Sequence, residues 1–383
     1  MMFGKYGKGG QSLPRVLHIS ISRYRADLPR PGDPLDFLVS IHEEGTGLTW
    51  QQNVTLDPAS ERFLLDTTQA LYGWSLTRGA PPEQTREEVA ALGARLYDVF
   101  ITPAGGKVLA SIKPTAVLLD VDETILNLPW ELIVGTRGPI AQEVPFGRLV
   151  TSRVVPRPGR DPVQEDATVR ILVVANPTGD LPAAELEAGA IGLLGGDRTG
   201  FRIEVDDLIG RKATRAAFRD RLVQGDYDIL HFAGHAYLEA GQPDASALRF
   251  ADGVLPAGEV LALPWKAPPY LVVNSACESG RAAGGQRLVA GDSQANGLAA
   301  AFLAAGAHAY AGYFWPVTDA GAEMFAGAFY DALFGRENVG LAFLEARHRA
   351  VHDLGDDGDL TGFSAVLFGD AASSHRRDLA MAA

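Results

Sequence analysis

The chain has 383 residues, of which 46% are hydrophobic and 21% are charged, proportions typical of a folded globular protein and unlike those of a disordered one. A chain of this length is expected to hold two or three domains. With 34 Lys and Arg residues against 47 Asp and Glu residues, the net charge is −13. This charge disfavours nucleic acids and anionic membranes as partners, because their phosphates are also negative.

Cys277 is the only cysteine in the sequence, which excludes an intramolecular disulfide and a thiolate-rich metal site. Residues 1–10 are rich in Gly and Lys and have no apolar core, unlike a signal peptide. No apolar run approaches the ~18 residues that a membrane span needs. We therefore expect a cytoplasmic protein, in which a lone thiol stays reduced.

A proline-rich stretch from Val155 to Pro162 divides the chain, because prolines at this density can continue neither a helix nor a central strand. The predicted divisions are a flexible N-terminus at residues 1–12, an α/β or β-rich region at 13–155, a linker at 156–162 and an α/β domain at 163–383.

The N-terminal region begins with alternating apolar and polar residues, a pattern typical of half-buried strands. The predicted strands are residues 15–21, 36–41 and 48–50, with a short buried strand at 116–120. Between them, apolar residues recur at helical spacing, and Thr85 with Glu88 has the spacing of an N-terminal capping box. The pattern therefore predicts a helix whose first turn is capped by Thr85.

In the second region, short apolar runs alternate with helical patterns, which favours a mostly parallel sheet with helices on both faces. The predicted strands are residues 170–175, 201–205, 228–232, 269–274, 307–314 and 363–368. The predicted helices are residues 183–194, 214–224, 295–306, 320–334 and 338–352. Ligands of such sheets bind beyond the carboxyl ends of the strands, so chemistry is expected there.

A histidine and the only cysteine follow two successive predicted strands. His235 comes just after the strand at 228–232, and Cys277 comes just after the strand at 269–274. If these strands are neighbours, about 4.8 Å apart, the imidazole and the thiol can meet. A thiolate that attacks and a histidine that moves the proton are the minimum for nucleophilic catalysis.

Glycines accompany both residues. A lone cysteine is most often a small buried hydrophobe, but Gly234 and Gly280 allow the backbone to approach a substrate closely. The backbone N–H groups of Gly234 and Cys277 are also placed to form an oxyanion hole. We therefore favour a catalytic role for Cys277 over a packing role.

The residues around these positions resemble a known family. HFAGH at residues 231–235 and NSACESG at residues 274–280 are similar to the histidine and cysteine blocks of CHAT domains. These are caspase-like proteins related to separase, within the wider caspase and gingipain group of cysteine peptidases. Further matching segments are residues 128–132, 297–306 and 315–319. The resemblance covers residues 85–370, and the ordered set of blocks is more specific than any one of them.

The resemblance implies an α/β fold, a caspase-like three-layer sandwich with a mostly parallel central sheet, in which the N-terminal region is a degenerate caspase-like half. It implies a cysteine endopeptidase of a regulatory or defence pathway that cleaves a protein partner and is activated by a sensor protein or a ligand. By this resemblance His235 is the general base and Cys277 is the nucleophile, and no cofactor is needed. No third member of a catalytic triad is identifiable in the sequence.

Asp319 and Ser275 are candidates for the substrate pocket. In separase-like relatives, the aspartate after Trp-x-Val-Thr lies near the pocket for the residue before the cleaved bond, and Asp319 matches it. A carboxylate there would favour Arg or Lys. Metacaspase-like relatives carry an aspartate two residues before the cysteine, where this chain has Ser275. The alternative role for Asp319 is to cap the helix that begins at Ala320.

A metal site is one alternative for the histidines. His231 and His235 are four residues apart, but no third ligand of suitable spacing accompanies them, so we expect no metal. His231 is instead expected to be a hydrogen-bonded residue of the strand.

Two alternative functions stay open. Asp120 and Asp122 match the D-x-D-x-T start of haloacid-dehalogenase phosphatases, in which the first carboxylate attacks phosphate beside Mg²⁺. The acidic run at residues 355–359 follows a predicted helix, so it does not supply the later acidic pair at a strand end that this family has. The other alternative is a non-catalytic interaction module that keeps the caspase-like scaffold.

Overall fold

The computed structural model describes residues 15–24, 32–77, 81–135, 137–151, 155–161, 168–198, 200–237, 246–276, 297–335 and 338–373. The N-terminus predicted to be flexible, residues 1–12, lies outside the described residues. The strands are β1 Val16–Arg23, β2 Leu35–Glu43, β3 Thr49–Leu56, β4 Ala116–Val121, β5 Phe146–Arg148, β6 Thr168–Ala175, β7 Gly196–Arg198, β8 Phe201–Ile209, β9 Ile229–Ala233, β10 Ala236–Tyr237, β11 Ala247–Phe250, β12 Gly253–Pro256, β13 Leu271–Asn274, β14 Ala309–Tyr313 and β15 Ala365–Gly369. The α-helices are α1 Pro58–Thr77, α2 Pro82–Leu96, α3 Thr102–Ile112, α4 Pro182–Gly192, α5 Arg215–Gln224, α6 Ala257–Val260, α7 Gly297–Ala304, α8 Asp319–Phe334, α9 Val339–Leu354 and α10 Thr361–Ser364.

Within the described residues, twelve strands form one sheet in the order β3-β2-β1-β4-β5-β15-β14-β13-β9-β6-β8-β7. Most neighbouring strands are parallel, and the antiparallel pairs are β1–β2, β2–β3, β14–β15 and β7–β8. The short strands β10, β11 and β12 form a separate antiparallel sheet. The predicted mostly parallel central sheet is confirmed.

The two regions of the chain share this sheet. β5 of the N-terminal region lies beside β15, the last strand, and Arg148 is level with Phe368 at their junction. The strands of the N-terminal region therefore extend the sheet sideways. The division into separately folding domains stays a prediction.

Strand direction reverses where β14 meets β15. β6, β9, β13 and β14 are mutually parallel, so their carboxyl ends lie at one edge of the sheet. β15 runs the opposite way and is parallel to β5, β4 and β1. The carboxyl ends of β4 and β1 therefore lie at the other edge.

Hydrophobic cores fill both faces of the sheet. Along β6, Leu172 and Val174 enter one core while Ile171 and Val173 enter the other, as the alternation of strand side chains requires. Helices α1, α2, α5 and α7 pack on the first face, and α4, α8 and α9 pack on the second. The result is the predicted three-layer α/β sandwich.

The sequence patterns located most elements of the second region. The six predicted strands and five predicted helices are all present, but the prediction omits the short helices α6 and α10 and the strands β7, β10, β11 and β12. In addition, β8 continues beyond its predicted end to Ile209. β8 lies next to the edge of the sheet, and its exposed side carries acidic residues such as Glu204 and Asp206. A strand with one solvated face alternates polar and apolar residues, so a prediction based on apolar residues ended before β8 does.

The capping box predicted at Thr85 is wrong. Helix α2 begins at Pro82, after Pro81, and no side chain caps it. A proline at the first helical position needs no N–H partner, so the proline pair sets the start. Thr85 is buried inside the helix, and its hydroxyl donates to the Pro81 carbonyl oxygen at 3.2 Å.

The described part of the linker, residues 156–161, lies near the amino ends of the central strands without regular secondary structure. The Arg157 N–H donates to the Ala304 carbonyl oxygen at 2.9 Å. The Arg160 guanidinium donates to Asp228, the residue before β9, at 2.5 Å. Because Asp228 also accepts from the Arg170 N–H at 2.8 Å, one carboxylate joins the linker to two central strands.

Candidate active site

Loops from adjacent parallel strands meet at one edge of the sheet. Ala175 at the end of β6 is level with Ala233 at the end of β9, and Phe232 is level with Asn274 at the end of β13. The residues that follow these strands therefore emerge side by side, about 4.8 Å apart from one strand to the next. His235 follows β9 at this edge, as the sequence predicts.

Asn176 fixes the loop after β6. Its backbone is left-handed, with a φ of 47°, a conformation that Asn tolerates better than most residues. Its N–H donates to the Ala233 carbonyl oxygen at 2.8 Å. Its side chain accepts from the Leu181 N–H at 2.8 Å and donates to Glu185 at 2.7 Å. The loop that carries Asp180 is therefore tied to the end of β9.

The imidazole of His235 meets the carboxylate of Asp180. Nε2 lies 3.2 Å from Oδ1 and 3.1 Å from Oδ2. The side chains are 39% and 63% exposed, so both groups face solvent. The Thr178 hydroxyl, which donates to the carboxylate, and the His235 contact hold the pKa of Asp180 below its usual range. Asp180 is therefore ionised at neutral pH and can accept the hydrogen on Nε2.

Sequence reasoning missed Asp180. The residue lies 55 positions before His235, and only the pairing of β6 with β9 brings the two together. A usable signal was present, because Asp180 follows the first predicted strand of the second region at the edge where ligands are expected.

Gly234 leaves little room for a side chain. An added Cβ would lie 3.0 Å from the ring of Phe232 and 3.1 Å from Pro177 Cδ, so these neighbours would have to shift by a few tenths of an ångström. Any other residue at this position would therefore disturb the packing beside His235.

His231 belongs to the core and not to the exposed edge. Its side chain is fully buried, Nδ1 lies 3.1 Å from the Tyr330 hydroxyl, and Nε2 lies 3.1 Å from Glu187 Oε1 without the alignment of a hydrogen bond. Burial and the Glu187 charge raise the pKa of Tyr330 well above its usual value. The predicted role of His231 as a hydrogen-bonded strand residue is confirmed.

Hydrogen bonds of side chains hold the end of β13 and the residue that follows it in place. The Asn274 side chain donates to the Tyr310 hydroxyl at 2.8 Å and accepts from the Ala276 N–H at 3.1 Å. Ser275 donates its hydroxyl to Glu187 Oε2 at 3.1 Å. Cys277 and Gly280 lie outside the described residues, as does the Cys277 part of the predicted oxyanion hole.

Asp319 is the exposed first residue of α8 and does not cap it. The Thr318 hydroxyl oxygen accepts from the Gly321 N–H at 3.0 Å, and the same hydroxyl donates to Asp359 at 2.7 Å. The capping alternative for Asp319 is therefore wrong, because a hydroxyl one residue earlier fills that role. The roles of Asp319 and Ser275 in a substrate pocket stay predictions.

The Asp120 and Asp122 pair lies at the opposite edge of the sheet, at the end of β4. Asp122 accepts from the Thr124 N–H at 3.0 Å and from the Thr124 hydroxyl at 2.6 Å, so it closes a local turn. Asp120 accepts from the Thr151 hydroxyl at 3.2 Å, and burial raises its pKa. Local hydrogen bonds occupy both carboxylates, which disfavours the phosphatase alternative.

Glu131, in the segment at residues 128–132, forms a buried ion pair with Arg148. Nε of Arg148 lies 2.9 Å from Oε1, and both side chains are 3% exposed. The guanidinium also lies 5.4 Å from the centre of the Phe314 ring, next to β14. This pair therefore joins the N-terminal region to the segment that leads to Asp319.

Two searches of the described residues bear on other site types. No group of three or more His, Cys, Asp or Glu side chains there is arranged to hold a metal ion. No helix there is long and apolar enough to cross a membrane.

Comparison with known proteins agrees with the fold. The family model of the CHAT domain matches residues 90–378. A search of curated protein sequences finds no significant match. Two structures of the Saccharomyces cerevisiae separase–securin complex are similar, with TM-scores of 0.59 and 0.53 at 12% and 13% identity over 93% and 92% of this chain. The structure of the Arg-specific cysteine proteinase gingipain R has a TM-score of 0.46 at 13% identity, covering 82% of this chain and 74% of that one.

The chain spans 30% of the length of the chain that it matches in each separase–securin structure. At these identities the likeness shows the fold alone, which is the caspase-like α/β fold of separase. Because the family model covers more than half of the sequence, the chain belongs to the CHAT domain family.

Proposed function

We propose that the protein is a cysteine endopeptidase in which His235 and Cys277 cleave a peptide bond of a protein substrate. The observation that carries the proposal is the exposed His235–Asp180 pair, at the edge where the segment containing Cys277 leaves β13. A solvent-facing imidazole oriented by a carboxylate is the general-base arrangement that a thiol nucleophile needs.

In the proposed reaction the Cys277 thiolate attacks the carbonyl carbon of the substrate and forms a tetrahedral intermediate. The N–H groups of Gly234 and Cys277 donate to its oxyanion. His235, which took the thiol proton, gives that proton to the leaving amine as the C–N bond breaks. Water then attacks the thioester, with His235 as the base, and releases the acid product and the thiol.

Asp180 completes this arrangement as a positioning residue. When it accepts the hydrogen on Nε2 of His235, a neutral imidazole has its lone pair on Nδ1. Nδ1 is then the nitrogen that takes the thiol proton. The same carboxylate stabilises the imidazolium that forms.

We further propose that a protein partner regulates the activity. The similar separase structures are complexes with securin, which shows that this fold forms a complex with a protein there. CHAT domains include non-catalytic members, so the same test must separate a peptidase from an interaction module. The proposed setting is the cytoplasm, where the Cys277 thiol stays reduced.

The test is a proteome-wide profile of new peptide termini in cells that express the chain as it is, or as Cys277→Ala or His235→Ala. We expect cleavage sites that occur with the unchanged chain and with neither variant. Identical profiles for all three chains, in cells that also supply the native partner, would reject the peptidase and favour the interaction module.

A further inference from the structure

A cleft of about 300 Å³ lies between the end of α1 and the segments next to the β14–β15 pair. Its walls are mostly apolar, from Trp74, Pro316, Val317, Leu354 and Leu360. Mostly apolar clefts of this size with a few polar groups are typical binding sites for small ligands and side chains. Nothing in the proposed reaction uses this cleft.

The cleft opens at the edge of the sheet that carries His235. Residues 316–318 come shortly after β14, and the carboxyl end of β14 is two strands from that of β9. The cleft and His235 therefore lie at the same edge of the sheet.

Two carboxylates give the cleft a negative charge. Asp359 accepts from the Thr318 hydroxyl at 2.7 Å and from the Thr361 N–H at 2.7 Å, so both of its oxygens have partners, and Asp357 is exposed. No Lys, Arg or His is among the described residues that line the cleft. The nearby Arg86 donates instead to Asp356, which is outside the lining, at 3.2 Å. The charge of the cleft is therefore complementary to a cation.

We propose that this cleft binds an arginine or lysine side chain of the substrate. The cation lies over the Trp74 indole and pairs with Asp357, and Asp359 adds negative charge beside it. That the ligand is a substrate rests on the proposed function, whereas the binding of a cation does not. Asp319 itself does not line the cleft, although its neighbours Thr318 and Ala320 do.

The test measures binding without cleavage, on the full chain with Cys277→Ala. The chain has five tryptophans, so labelling with 5-fluorotryptophan gives a simple ¹⁹F NMR spectrum, in which Trp74→Phe identifies the Trp74 signal. The probes are argininamide and citrulline amide, both with an acetylated α-amine, so that the citrulline amide has nearly the same shape and no charge. Asp357→Asn removes a carboxylate of the cleft, and Asp353→Asn removes an exposed one outside it as a matched control.

We expect argininamide to shift the Trp74 signal saturably and citrulline amide to leave it unchanged. Asp357→Asn should weaken argininamide binding about fivefold, the effect of one ion pair at a hydrated site, and Asp353→Asn should not change it. No shift at Trp74, an equal response to citrulline amide, or equal affinities of the two Asn variants would overturn the inference. A chain that binds argininamide but cleaves no protein would reject the peptidase and leave the cation site standing.

Discussion

Two strands of one sheet, β9 and β4, each carry polar residues near their carboxyl ends. The two sets of residues differ in the hydrogen-bond partners that they have and in how exposed they are. At the end of β4, the acids bond to threonines nearby in space, and Asp122 serves a turn only two residues away. At the end of β9, His235 meets Asp180 from the loop of another strand, and both groups stay exposed.

The difference separates a local motif from a site. A turn needs only residues close in sequence, so Asp122 and Thr124 say little about chemistry although their spacing matches a phosphatase motif. A catalytic group needs partners that the fold brings from separate strands and leaves open to a substrate. The His235–Asp180 pair meets this criterion, because its members come from different loops and both side chains are exposed. We therefore place the proposed site at that edge of the sheet.

The largest effect is expected from the two histidines of the second region. His235→Ala should lower cleavage by at least about 10³-fold and leave the melting temperature nearly unchanged, because the side chain is partly exposed and acts on protons. His231→Ala should cost about 2–5 kcal/mol of folding free energy, because it leaves a cavity in the core and removes the hydrogen-bond partner of the buried Tyr330 hydroxyl. Cleavage assays and thermal unfolding of both variants check this, and equal stability losses would contradict it.

The next effect is that of Asp180→Asn, which removes the charge that orients His235. We expect kcat to fall about 10–100-fold with little change in KM, since the residue positions the imidazole and does not touch the substrate. Because the pKa of Asp180 is below its usual range, the pair should persist down to the acid end of the aspartate range and be lost only as pH falls further. Asp197→Asn, another exposed aspartate, is the control, and an equal loss in both variants would refute the positioning role.

A smaller effect on stability is expected from Thr318→Ala, and Asp319→Asn should affect stability less. Thr318→Ala should cost about 1 kcal/mol, because it removes the cap of α8. Asp319→Asn should change the free energy of unfolding by well under about 1 kcal/mol. If Asp319 lines the pocket for the residue before the cleaved bond, Asp319→Asn should also lower cleavage after Arg more than tenfold and spare cleavage after Leu. Unfolding curves and peptide libraries of both variants check this, and an unchanged preference for Arg would reject the pocket role alone.

The smallest effect is expected at Asp120. Burial raises the pKa of this carboxyl, so its charged form is disfavoured in the folded chain at neutral pH. Asp120→Asn should therefore stabilise the fold by a few tenths of a kcal/mol at pH 7, a gain that fades as pH falls and the wild-type carboxyl is protonated. Cleavage should not change, and a Mg²⁺-dependent phosphatase activity lost in this variant would revive the rejected alternative.

Much of the second region was predictable because its strands are continuous apolar runs. Residues 170–175 read as a strand on composition alone, since strands buried on both faces carry no polar interruptions. His235 was then identified as a candidate site residue because it comes just after a predicted strand. The single sheet shared by both regions was not predictable, because the pairing of Arg148 with Phe368 joins residues far apart in sequence.

The partner of His235 escaped prediction for the same physical reason. Asp180 is one of many aspartates in loops, and its position after the predicted strand at 170–175 does not say which strand end it faces. What selects it is the left-handed Asn176 backbone, which turns the loop toward β9. The prediction of the residue that caps α8 was wrong for a different reason. Thr318 and Asp319 are both good N-cap residues, and sequence alone does not choose between them.

The central claim, that His235 acts on the Cys277 thiol, can be tested without knowing the substrate. The chain has a single cysteine, so its alkylation by iodoacetamide reports one thiol only. We measure the rate against pH in the native chain and in His235→Ala. The account predicts that the native thiol reacts at least tenfold faster at pH 7 and that its profile is displaced to lower pH, because a neighbouring imidazole favours the thiolate. Equal rates and superimposable pH profiles in the two chains would contradict it.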